Sequence, residues 1–126
     1  MHVATGGLVG ALTGSRLAAV AAGPVLHALG DAVPHRDFPS RRFETASGLA
    51  GLGLLALAGG PAAPATLGAV AASVPDAEHL LPRAPGRRKL FPSHRFAGWH
   101  REGGISAEAQ LVLAAALLAL VVFRRP

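Results

Sequence analysis

Polar and apolar residues are segregated along this chain rather than interleaved. Four runs carry no charged side chain, Val3–Ser15, Leu17–Leu26, Ala46–Val74 and Ala109–Phe123, and the ionisable residues gather between them. Gly59-Gly60-Pro61-Ala62-Ala63-Pro64 divides the third run with a strong turn signal, and Thr13-Gly14-Ser15-Arg16 separates the first two. Ser106, with Glu108 and Gln110 behind it, is a helix start. The pattern predicts five helices, at about 3–14, 17–33, 43–59, 65–74 and 105–123. Strand alternation is sustained nowhere, so the expected fold is all-α.

Chain direction alternates through five antiparallel helices, which sorts the loops into two ends. Residues 1–3, 31–45 and 75–105 fall at one end, and the turns at 14–17 and 59–64 fall at the other with the tail. All seven acidic residues lie at or near the first end, as do His2, His27, His35, His79, His94 and His100. Of the twelve basic residues, Arg16, Arg124 and Arg125 alone lie at the far end. A single helix over 3–30 would move His2 away from the others.

Composition changes the picture of the solvent. The 126 residues suit one domain, with 51% hydrophobic and 15% charged residues and a mean hydropathy of +0.41. Ala, Gly, Leu and Val dominate, and such small residues let helices approach closely in a bilayer. The expectation is a compact membrane bundle over residues 1–126, the lipid bilayer being its partner. The alternative is a soluble bundle of very apolar helices, because only the last helix approaches the roughly 20 residues of a span. Basic residues at the histidine-rich end place that end in the cytoplasm, in a bacterial inner membrane. Residues 83–104, with Phe91, Phe96, Trp99 and several arginines, read as a basic, aromatic interfacial loop.

Several classes are set aside. The net charge of +5 comes without aromatic interleaving or a nucleic-acid motif, so no nucleic-acid partner is expected. No cysteine is present, which removes disulfides and thiolate metal sites. The N-terminus lacks the basic start of a signal peptide, and Arg16 interrupts its apolar stretch. Gly-rich phosphate loops, G-x-S-x-G and H-E-x-x-H are missing. Pro92-Ser93-His94 lacks the glycine of a P-S-G-H lipid phosphatase.

Three constellations carry the candidate chemistry. His27 and Asp31, four apart on a helix, project from one face and can share a divalent cation. Pro34 ends that helix and frees His35 and Asp37 to turn back toward the same point. Val74-Pro75-Asp76-Ala77-Glu78-His79 echoes Val33-Pro34-His35-Arg36-Asp37, suggesting two related half-sites, although Pro75 also suits the first turn of a helix. His94 and His100 stand among Phe91, Phe96 and Trp99. Each has a bland reading as well, as a solvated helix end or a surface loop.

These residues resemble the bacterial family described as predicted membrane-bound metal-dependent hydrolases. Pro75-Asp76-Ala77-Glu78-His79 is similar to its P-D-x-D-H, with Glu for the second Asp. His94-Arg95 followed by His100 resembles its H-R…H, and His27 with Asp31 its H-x-x-x-D. An early histidine, here His2, is also similar. The resemblance implies an integral membrane, metal-dependent hydrolase.

The expected metal ligands are therefore His2, His27, Asp31, His35, Asp76, His79, His94 and His100, holding Zn, Mn or Fe. Glu78 or Asp37 is expected as catalytic base, and Arg88 and Arg95 as holders of a phosphate. The expected substrate is a phosphoester or lipid-like molecule, with an anionic lipid or phosphorylated small molecule as partner. A non-enzymatic metal-binding or transport-accessory protein would use the same ligands, with no open coordination position. A structural protein with scattered histidines is the third reading.

Overall fold

The computed structural model describes residues 1–79, 88–99, 101 and 103–124. Its helices are α1 (His2–Thr13), α2 (Arg16–Ala32), α3 (Arg41–Gly59), α4 (Pro64–Ser73), α5 (Pro92–Arg95) and α6 (Ala107–Val122). A 3-10 segment, Val74–His79, continues α4. No strand occurs among the described residues, so the all-α expectation holds.

Local chemistry sets the boundaries. Ser15, Ser40 and Ser106 each accept a hydrogen bond at their Oγ from a backbone N–H three residues on, capping α2, α3 and α6. Gly14 closes α1 at φ 63°, a left-handed conformation that glycine adopts without strain. The first two helices are thus separate, and His2 belongs to the acidic end. Pro64 starts α4 at a position where its missing N–H costs nothing.

The centre of the bundle is α4, packed closely on α1 and α2, with α6 against α1 and α3. Side chains at these contacts are very small. A methyl group at Gly10 would overlap the Pro64 carbonyl, and one at Gly23 would overlap Ala71. The buried apolar residues are Leu55 and the alanines 4, 19, 69, 71, 72 and 107. Larger apolar side chains lie outside, Leu17 at 80% exposed and Leu57 at 88%.

The membrane expectation is corrected by these elements. Among the described residues, no helix is long and apolar enough to cross a membrane. At 16 residues, α6 extends only about 24 Å, short of a hydrocarbon core of about 30 Å. The longer α3 has 19 residues but begins with Arg41, Arg42 and Glu44. The charge-free run Ala46–Val74 is divided at Gly60 between α3 and α4, as its turn signal predicts. The expected inner-membrane location, with its cytoplasmic orientation, required such spans and is overturned.

Candidate metal centre

The site assembles where the ends of four elements meet. On α2, His27 and Asp31 project from one face, and both are buried, at 0% and 3% exposed. The last turn of α4 contributes the Ala72 carbonyl, which accepts from His27 Nδ1 at 2.8 Å. That carbonyl lies where an α-helix lacks a full set of internal partners. Because a carbonyl only accepts, Nδ1 carries the proton and Nε2 is left to face Asp31.

On α5, Ser93 and His94 pack over this pair. The Ser93 hydroxyl donates to Asp31 Oδ2 in a very short hydrogen bond. His94 Nδ1 bonds Glu78 Oε1 at 2.5 Å, so its Nε2 also turns inward. Glu78 accepts the Leu90 N–H at 2.8 Å as well, which ties the 3-10 segment to the start of the α5 turn.

Consequently His27 Nε2 and His94 Nε2 stand 3.1 Å apart, at 3.2 and 3.4 Å from Asp31 Oδ2. Asp76 Oδ1 lies 3.7 Å from both nitrogens. From the first turn of α1, His2 places Nε2 3.3 Å from Asp31 Oδ1 and stacks its ring on His27 at 4.0 Å. His79 brings its ring to 4.4 Å from that of His94. Three overlapping groups have donor atoms close enough to hold a metal ion: His27, Asp31 and His94; His2, His27 and Asp76; and Asp76, His79 and His94.

Electrostatics reinforce the convergence. Burial alone would raise the Asp31 carboxyl, but hydrogen bonds from His2, His27 and Ser93 outweigh it and hold the group well below its ordinary value. Burial likewise opposes charge on His27, yet Asp31 and Asp76 prevail and raise its pKa. His2 is lowered by burial, partly offset by its bond to Asp31. His79 is lowered by burial and by Lys89 and His94. Acceptor-type atoms from three residues thus surround one point and need a proton or a cation among them.

Other expected residues go elsewhere. His35 Nε2 pairs with Asp37 Oδ1 at 3.8 Å, and His35 Nδ1 donates to the Val33 carbonyl at 2.7 Å. Neither belongs to any of the three donor groups. Pro34 does end α2, with Val33 extended at φ −76°, ψ 125°. The freed chain then pairs with the loop before α6, His35 N–H donating to Arg101 O and Arg36 N–H to Ile105 O. Backbone pairing, with Gln110 Nε2 donating to Arg36 O, carries His35 away from the centre.

Asp37, 71% exposed at its side chain, stands outside the centre and is not placed as its base. Glu78 bonds both His94 Nδ1 and the Leu90 N–H, so it orients the His94 ring toward the centre. The two Val-Pro segments are not equivalent either, because Val74 is helical at φ −54°, ψ −41° where Val33 is extended. Pro75 opens a tighter turn that follows α4 directly, and this turn delivers Asp76 and His79 to the site. Trp99, expected at a lipid interface, donates its indole N–H to the Ala28 carbonyl at 2.8 Å and pins its loop onto α2.

Arg88 and Arg95 line a cavity of about 470 Å³ with Lys89, His94 and Phe96. His100 lies outside the described residues. Ser93, which holds the Asp31 carboxylate, joins the cluster without having been expected from the sequence. Its signal was modest, a hydroxyl between a helix-starting Pro92 and a candidate ligand. Comparison with protein-family profiles, with curated proteins and with solved structures finds no match to this chain.

Proposed function

We propose that this protein is a divalent-metal-dependent hydrolase of phosphoester substrates. The observation that carries the reading is the convergence of His27 Nε2, His94 Nε2 and Asp31 Oδ2, with both outer ring nitrogens already satisfied. Histidines held this way by a carbonyl and a carboxylate have fixed tautomers, as metal-ligating imidazoles do. Nitrogen and oxygen donors without sulfur suit Zn, Mn or Fe. When bound, such a cation polarises a scissile group and acidifies water.

The chain's own groups supply the rest. Asp31 and the two imidazoles form a buried base to the site, and Ser93 fixes the carboxylate. Asp76, with its side chain 49% exposed, is the carboxylate at the open side, where solvent reaches the donors. Arg88, Lys89 and Arg95 surround a cavity that shares His94 with the centre, so an anion held there lies beside the donors. The resemblance of Pro75–His79 and His27…Asp31 to metal-dependent hydrolases points the same way.

The test is metal analysis of the purified chain, followed by assay against bis(p-nitrophenyl) phosphate with added Mn²⁺. Bound metal and chelator-sensitive hydrolysis are expected, both abolished by His27→Ala, with Arg95→Ala acting mainly on KM. Absence of bound metal overturns the proposal. Tightly bound metal without hydrolysis of phosphoesters overturns the enzymatic part and leaves metal binding alone.

A further inference from the structure

Asp31 presents its two oxygens to different histidines. Oδ1 lies 3.3 Å from His2 Nε2, whereas Oδ2 faces His27 Nε2 and His94 Nε2 at 3.2 and 3.4 Å. A carboxylate holding one ion does not need this division; one that bridges two ions does. Around it, six residues offer donors in three overlapping groups, where a single catalytic ion takes about three protein ligands and keeps one position open.

Ring geometry supplies the spacing. His2 and His27 stack at 4.0 Å with their planes 29° apart. Nearly parallel imidazoles separated this way direct their nitrogens to neighbouring points, and paired catalytic cations sit about 3.5–4 Å apart.

The second position can also be located. On the His79 side, His94 is already engaged at both nitrogens, by Glu78 and by the Asp31–His27 group, so Asp76 and His79 are the two donors that remain. On the His2 side, His2 Nε2 and Asp31 Oδ1 face each other at 3.3 Å, so that a cation between them would replace a single contact, and His2 and Asp76 share a donor group. Three donors on the His2 side outnumber two on the His79 side.

We propose, resting on the metal-dependent reading above, that the centre holds two divalent cations bridged by Asp31. The first lies on His27, His94 and Asp31 Oδ2, and the second on His2, Asp76 and Asp31 Oδ1. The buried first position is the tighter. The second, between the half-buried His2 and the exposed side of Asp76, fills later and empties first.

The experiment titrates the metal-free full chain with Mn²⁺, reading stoichiometry by equilibrium dialysis and coupling by electron paramagnetic resonance. Two equivalents per chain are expected, with the signal of a spin-coupled pair at full loading. His2→Ala should bind one equivalent and show an isolated ion, whereas His79→Ala should still bind two. Asp31→Asn, checked for unchanged helical circular dichroism, should lose the coupled signal. One equivalent in the unaltered chain, or two in His2→Ala, overturns the two-ion arrangement while leaving a metal site intact. No binding at all overturns the metal-dependent reading itself.

Discussion

Asp31 accepts from Ser93 and faces three imidazoles, and its geometry therefore rests on a hydroxyl that is itself only 2% exposed. Partners of this kind hold a carboxylate in the orientation its metal needs, and losing one costs roughly 10–100-fold in affinity. Ser93→Ala is expected to weaken Mn²⁺ binding by about that factor, measured by isothermal titration calorimetry, with helical content unchanged. An unaltered affinity would reduce Ser93 to packing. The residue-scale arrangement was partly legible. His27 and Asp31 share a face because four residues make just over one helical turn, and spacing alone reveals that. The tautomers were not legible, because they depend on Ala72 and Glu78, which are brought to the rings by other segments.

At the scale of elements, helix boundaries follow from capping and from glycine and proline, all of which act within a few residues. Their contacts follow from side-chain size. Because α1 and α2 meet α4 through glycines, added volume there has no room. Gly10→Ala is expected to destabilise the chain by about 1–3 kcal/mol, since the new methyl displaces the start of α4. Gly53→Ala on α3 meets nothing within 4 Å and is expected to stabilise by about 0.5–1 kcal/mol through reduced backbone entropy. Chemical denaturation of the two variants checks both signs. Should Gly10→Ala prove neutral, the close approach of α1 and α4 would be wrong.

Over the whole molecule, the buried ionisable cluster ties stability to pH. Asp31 is lowered from 3.8, so its contribution is present above that value and is lost as pH falls below it. His2 and His79 are lowered from 6.5, so the folded chain resists protons that the unfolded chain takes up below pH 6.5. Both effects have the same sign on the acid side. His27 is raised, and its contribution is already complete below 6.5. The metal-free protein should therefore lose Tm in two stages, first below about pH 6.5 and again below about pH 4, read by thermal melts in chelator. Asp31→Asn should shrink the second stage, to which the lowered Glu78 also contributes; a melt independent of pH would contradict the buried cluster.

What the amino-acid order determined by itself was local: five helices, their caps, and the gathering of histidines and acids at one end. Those features depend on interactions a few residues apart, or on the simple alternation of chain direction. Hydropathy overreached, because it sums apolar character along the chain while a span requires it within one uninterrupted helix. Tertiary structure decided which of the expected donors meet. It brought the expected His2, Asp76, His79 and His94 to His27 and Asp31, and spent His35 on backbone pairing with the loop before α6. It also made Glu78 an orienting group and gave Asp31 its serine. A metal centre is a coincidence of distant segments in space, and only the packing of α1, α2 and α4 through their smallest residues fixes where those segments meet.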